Sequence, residues 1–155
     1  RRQRQMCIRD RAVAASIFIA LHWTGEIDEL KVHIRDFVTN QFEYNMNRTL
    51  NEIRPRYEFD VSCQGSVPEA IIAFLEADSY EDAIRNAVSL GGDADTQGAI
   101  AGAIAACVYP ISEYIIKECQ RRLSDDLLKV VIRFEDYLDN EGQNKISLRF
   151  SCLQS

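Results

Sequence analysis

Apolar residues recur at helical spacing along almost the whole chain, and no stretch alternates with a period of two for long enough to predict a strand. The segments with this helical pattern, closed by glycine or proline or opened by a capping residue, are 12–23, 27–38, 50–53, 66–76, 79–90, 95–109, 112–122 and 125–138. The pattern therefore predicts an all-α, compact multi-helix domain.

The region between the second and third long helical segments has a different character. Residues 43–65 contain Pro55 and scattered aromatic residues, and only 50–53 has a helical pattern. We interpret them as a long connection, which in a compact domain is usually functional. The helix that follows is expected to begin with a capping box, in which Ser66 is the N-cap and Glu69 the acidic partner.

The charge is acidic overall but basic at the start. The net charge is −6, whereas residues 1–11 hold five arginines and one aspartate. This difference predicts a non-native-looking arginine-rich leader (1–11), a helical domain (12–139) and a polar tail (140–155). The acidic domain argues against nucleic acid and an anionic membrane as partners.

The cysteine pattern bears on the compartment. Five cysteines are scattered with no C-x-x-C pair, which excludes a disulfide framework and a zinc knuckle and favours a reducing environment. The longest apolar runs are shorter than the ~20 residues of a membrane-spanning helix. We therefore expect a cytoplasmic protein.

The segment with the clearest chemical signature is Gly91-Gly92-Asp93-Ala94-Asp95-Thr96. Two glycines permit unusual backbone conformations and a close approach by another group. Asp93, Asp95 and Thr96 bring three side-chain oxygens together at a helix start, which suits Mg²⁺, Ca²⁺ or Mn²⁺ better than zinc. The alternative for either aspartate alone is a simple helix cap.

Two better-known metal motifs do not fit this segment. An EF-hand loop beginning at Asp93 would have Ile104 instead of glutamate at its twelfth position. A D-x-D-x-[TV] phosphatase motif would need the threonine one place later and a preceding strand. The next helix contains Gly98 and Gly102 among alanines, so we expect it to be a central helix that its neighbours approach closely.

Residues 89–104 (SLGGDADTQGAIAGAI) resemble the C-terminal signature of the ADP-ribosylglycohydrolases, a family that includes the dinitrogenase reductase-activating glycohydrolase. Residues 57–70 (YEFDVSCQGSVPEA) and the small-residue segment 12–19 are similar to a bacterial branch of the family. The resemblance covers about 12–110. It implies an all-α fold with two Mg²⁺ ions (Mn²⁺ in some members), and cleavage of the glycosidic bond between ADP-ribose and a protein side chain or small acceptor.

Carried over by position, the resemblance implies that Asp93 and Thr96 bind one metal and that Asp95 bridges both. Gly91 and Gly92 would allow close approach of the substrate to the backbone. The family's Thr-Asp-Asp cluster and its glycine-rich substrate segment are absent from this sequence. The resemblance is therefore to the C-terminal half of an enzyme, which we expect to be inactive alone.

Several questions stay open at the level of sequence. No acid–base group can be assigned, and we expect neither His22 nor His33 to take part in chemistry. The alternatives to a hydrolase are a non-catalytic module that binds ADP-ribose or a protein, and a purely structural helical domain. The structural alternative leaves the GGDADT segment without an explanation.

Overall fold

A computed structural model describes residues 2–57 and 63–141, with side chains described for 10–57 and 65–137. These residues form α-helices and one short 3-10 helix (Arg54–Arg56), and no strand. The helices are α1 (Arg2–His22), α2 (Ile27–Phe42), α3 (Leu50–Ile53), α4 (Cys63–Leu75), α5 (Tyr80–Ser89), α6 (Ala94–Ala105), α7 (Glu113–Arg122) and α8 (Asp125–Glu141). The prediction of an all-α fold is confirmed.

The chain divides into two compact units, Arg1–Pro110 and Ile111–Ser155. The first unit contains α1 to α6 and its core lies around α4. Every residue of α4 from Ser66 to Leu75 is buried. Since α4 is apolar on nearly all of its sides, it is stable only when other helices surround it, and α1, α3, α5 and α6 all pack against it.

Small side chains allow α1 to lie close to its neighbours. Ala12, Ser16 and Ala20 follow one another at intervals of four residues, so they share one face of the helix, and all three are buried. The Ser16 hydroxyl donates to the Ala12 carbonyl at 2.9 Å, which satisfies this polar group within the core. The small-residue pattern in this segment is thus a packing surface.

α4 and α6 are both central to the first unit, and the neighbours of α6 approach it closely, as the sequence predicts. α6 packs on α1, α4 and α5, but Ala99 and Ala103 remain exposed. Of the two glycines of α6, only Gly102 is closely approached by a side chain of α5. A Cβ added to Gly102 would lie 2.7 Å from Ile84 Cδ1, whereas one added to Gly98 would meet only Val88 Cγ2, at 3.9 Å.

Two helices begin earlier than their sequence pattern indicates. α1 extends back to Arg2 through residues without an apolar period, because arginine and glutamine are good helix formers. α4 begins at Cys63, so the expected capping box at Ser66 is wrong. Ser66 lies inside the helix and is buried, and Glu69 forms an ion pair with Arg48 at 2.8 Å.

At its other end α6 stops at Ala105, four residues before the expected end at Tyr109. The amides of Cys107 and Val108 donate to carbonyls three residues back, so the chain tightens into turns. Tyr109 then packs on Phe74, with 6.4 Å between ring centroids. Its hydroxyl donates to the Ala77 carbonyl at 2.8 Å. This tertiary contact outweighs the helical propensity of the segment.

The second unit contains α7 and α8. The sequence places Ser112 as the first residue of this helix, and in the structure it is the N-cap of α7, where its hydroxyl accepts from the Ile115 amide at 3.4 Å. Hydrogen bonds from Arg121 and then Arg122 lower the pKa of Glu118 to about 2. α8 starts at Asp125 as expected. The polar tail, predicted for 140–155, lies almost wholly outside the described residues.

The two glycines of α6 give a direct test of its packing. Alanine at Gly98 should raise the free energy of unfolding by about 0.5–1 kcal/mol, because alanine is the better helix former and space is available. Alanine at Gly102 should give a smaller gain or a loss, because Ile84 must rotate away. Urea unfolding followed by circular dichroism measures both, and an equal gain at the two positions would contradict the close approach.

Candidate functional site

The connection between α5 and α6 is a left-handed turn. α5 begins at its cap Ser79, which accepts from the Asp82 amide at 3.1 Å, and ends just before Leu90. Gly91 and Gly92 follow with φ of 78° and 68°, a region that costs other residues about 1–2 kcal/mol. The double glycine therefore permits a short reversal between the two helices, and Asp93 follows it directly.

Asp93 occupies the N-cap position of α6 without capping it. Its backbone has φ −80° and ψ 65°, and its side chain makes no hydrogen bond to the amides of the first turn. The simple-cap alternative therefore fails for Asp93, and its carboxylate is left available for another partner. The backbone of the same residue does begin the helix, because its carbonyl accepts from the Gln97 amide at 3.0 Å.

Asp95 lies in the first turn of α6 and is exposed. Its pKa is lowered, first by a side-chain hydrogen bond with Asp93 and then by the backbone amides of Thr96 and of Asp95 itself. The Asp95 carboxylate therefore lies near Asp93 and near the amides that open α6. Carboxylates that lie near each other at a helix start can share a cation.

These residues fit part of a hard-cation site. Asp93, Asp95 and the half-buried Thr96 offer the oxygen donors that Mg²⁺ and Mn²⁺ prefer. Within the described residues, no group of three or more histidine, cysteine, aspartate or glutamate side chains could hold a metal ion. The turn therefore offers three neighbouring oxygen donors, and the metal assignments made from the sequence stay predictions.

The two histidines have local partners. His22 donates through Nδ1 to the Phe18 carbonyl at 2.8 Å, one turn back in α1. The His33 ring packs on Trp23, with 5.3 Å between centroids. Neither contact involves Asp93 or Asp95.

The expected closeness of a substrate to Gly91 and Gly92 also stays a prediction. A Cβ added to Gly91 would meet no atom within 4 Å, so the space beside this residue is open. A group from a ligand or from another part of a protein therefore has room to approach the backbone there.

Sequence reasoning missed Gln97 and Tyr57. Gln97 is fully buried in the first turn of α6, and its Nε2 donates to the Tyr57 hydroxyl at 2.5 Å. Tyr57 lines a cleft of about 650 Å³ together with residues from 48–56. The available signal was that Gln97 is the only polar side chain after Thr96 in a helix of glycine, alanine and isoleucine.

The all-α fold and the two aspartates that follow a glycine turn define a helical protein with a cluster of oxygen donors at the start of α6. The chain matches the ADP-ribosylglycohydrolase family over residues 5–144. It therefore belongs to that family, which is a family of hydrolases acting on ADP-ribose-containing substrates. The match includes part of the arginine-rich leader and most of the second unit. No curated protein and no solved structure matches the chain. No described helix is long and apolar enough to cross a membrane.

The left-handed turn can be tested at Gly91, where space is not a factor. Alanine there should lower the free energy of unfolding by about 1–2 kcal/mol, because only the backbone strain changes. Asparagine should lower it less, because its side chain tolerates the left-handed region. Denaturant unfolding of the two variants measures the difference. If the alanine variant had the same free energy of unfolding as the wild type, the turn would not need glycine.

Proposed function

We propose that this chain is the C-terminal part of a hydrolase, similar to the dinitrogenase reductase-activating glycohydrolase, that releases ADP-ribose from modified proteins or small conjugates. The complete enzyme would use two Mg²⁺ ions, or Mn²⁺. The observation that carries the proposal is the oxygen-rich start of α6, where the Asp93 side chain does not cap the helix and the exposed Asp95 lies two residues further on.

Family membership supports the class of reaction, and the donor count supports the partial nature of the chain. Two Mg²⁺ ions carry four positive charges, whereas Asp93 and Asp95 supply two negative ones. Octahedral Mg²⁺ also takes six oxygen ligands. The missing ligands would come from a Thr-Asp-Asp cluster that this sequence lacks, so the chain alone should be inactive.

Glycoside hydrolysis adds the oxygen of a water to the anomeric carbon, and the departing atom of the acceptor takes up a proton. Bound metal ions would supply charge stabilisation and an oriented water for such a reaction. In this chain, Asp93 and Thr96 would hold one ion and Asp95 would bridge both. The open backbone at Gly91 and Gly92 would leave room for the ribose. The acid–base group would lie elsewhere in the complete enzyme.

The metal assignment can be tested on the chain as it stands. The wild-type protein should bind Mn²⁺ weakly, as followed by water proton relaxation, and Asp95→Asn should weaken this binding about tenfold, equivalent to about 1.4 kcal/mol. Asp28→Asn is the matched control, because Asp28 is also the second residue of a helix. Equal curves for all three proteins would exclude Asp95 as a ligand.

The activity can be tested with a longer protein. The 155-residue chain should not release ADP-ribose from modified substrates, whereas a form extended upstream to include a Thr-Asp-Asp cluster should do so in a Mg²⁺-dependent way. Asp93→Ala in the longer form should abolish release. Activity that survives a chelator would contradict the proposal. Retained ADP-ribose binding without turnover in the longer form would indicate a non-catalytic binding module instead.

A further inference from the structure

Gln97 is an unusual residue to find in the core. Its side chain is fully buried and one end is satisfied, since Nε2 donates to the Tyr57 hydroxyl. The other end, Oε1, is also buried and has no hydrogen-bond partner among the described residues. An unpaired buried amide oxygen is destabilising, and methionine would fill a similar volume without that penalty. Stability alone therefore does not explain glutamine at this position.

Tyr57 joins Gln97 to a second helix. It follows the 3-10 helix in the connection before α4, and its hydroxyl donates to the Gly65 carbonyl at 2.9 Å. The same hydroxyl accepts from Gln97. One phenol oxygen therefore links three segments, which are the connection, the first turn of α4 and the first turn of α6.

The link continues through the backbone to the paired aspartates. The Gln97 amide donates to the Asp93 carbonyl at 3.0 Å, which closes the first turn of α6. Asp95 lies within that turn. The Gln97 side chain is thus fixed by Tyr57. Its backbone amide in turn binds the carbonyl of Asp93, whose carboxylate is a candidate metal ligand.

We propose that Tyr57 and Gln97 are positioning residues for the oxygen ligands at the start of α6. This inference rests on the metal site proposed above. The two glycines before Asp93 give the backbone on that side many accessible conformations. The positions of the Asp93 and Asp95 carboxylates must therefore be fixed from the other side, by the first turn of α6. Metal ligands need placement within about half an ångström, and the hydrogen-bonded partners of ligands affect metal affinity strongly.

The test compares two tyrosines. Tyr57→Phe removes the hydroxyl that binds Gln97. Tyr109→Phe is the control, because Tyr109 is also half-buried and its hydroxyl also donates to a carbonyl of the same unit, that of Ala77. Tyr57→Phe should weaken Mn²⁺ binding about tenfold, and Tyr109→Phe should leave it unchanged. Both are measured at a temperature where circular dichroism shows the proteins folded.

A second variant separates positioning from folding. Gln97→Met removes the unpaired oxygen, so its melting temperature should stay equal or rise while Mn²⁺ binding weakens as in Tyr57→Phe. In metal-free protein, the Gln97 amide should also exchange with deuterium faster in Tyr57→Phe than in Tyr109→Phe, since this readout needs no metal.

The outcomes distinguish the two proposals. Wild-type protein that binds no Mn²⁺ would overturn the metal site, while the exchange data would still report on the link. Wild-type binding that Tyr57→Phe and Gln97→Met leave unchanged would overturn the positioning role and leave the metal site standing.

Discussion

The burial of α4 on nearly all of its sides is the constraint on which the first unit depends. An apolar helix of this kind needs neighbours all round, and α1, α3, α5 and α6 provide them. Polar contacts then fix the arrangement at the middle of α4 and just beyond its C-terminus. Glu69, only 4% exposed, pairs with Arg48, and the Ala77 carbonyl beyond the C-terminus accepts from Lys31 and Tyr109. Because the Glu69 carboxylate is buried while Arg48 is partly exposed, losing Arg48 would leave a buried charge without its partner.

The sequence predicted helix starts well where a side chain caps the helix. Ser79 accepts from the Asp82 amide, as the spacing of its S-x-x-acid motif indicates, because such caps are local. It failed at α1, where the first residues are helical without apolar periodicity, and at α4, where Ser66 is buried inside the helix. Those starts depend on intrinsic propensity and on tertiary packing, and the apolar periodicity used to locate the helices reflects neither.

The candidate site likewise contains some residues that the sequence predicts and others that it does not. Asp93, Asp95 and Thr96 are neighbours in the chain, so their spacing already predicts a shared set of oxygens. Tyr57 lies 40 residues from Gln97, and a contact at that separation leaves no local pattern. The single polar residue in a helix of small apolar ones was the available hint.

The shortness of the reversal at Gly91 and Gly92 has a consequence for how the molecule assembles. α4, α5 and α6 follow one another with connections of only a few residues, so many of their mutual contacts are local in the chain. Local contacts require little loop closure and favour fast folding. The three helices can thus form an early folding unit, in which the aspartates already stand at the start of α6. The hydrogen bond between Tyr57 and Gln97 joins residues 40 apart in the chain, so it would form after these three helices. The contact that we propose positions the ligands would then be the last part of the site to form.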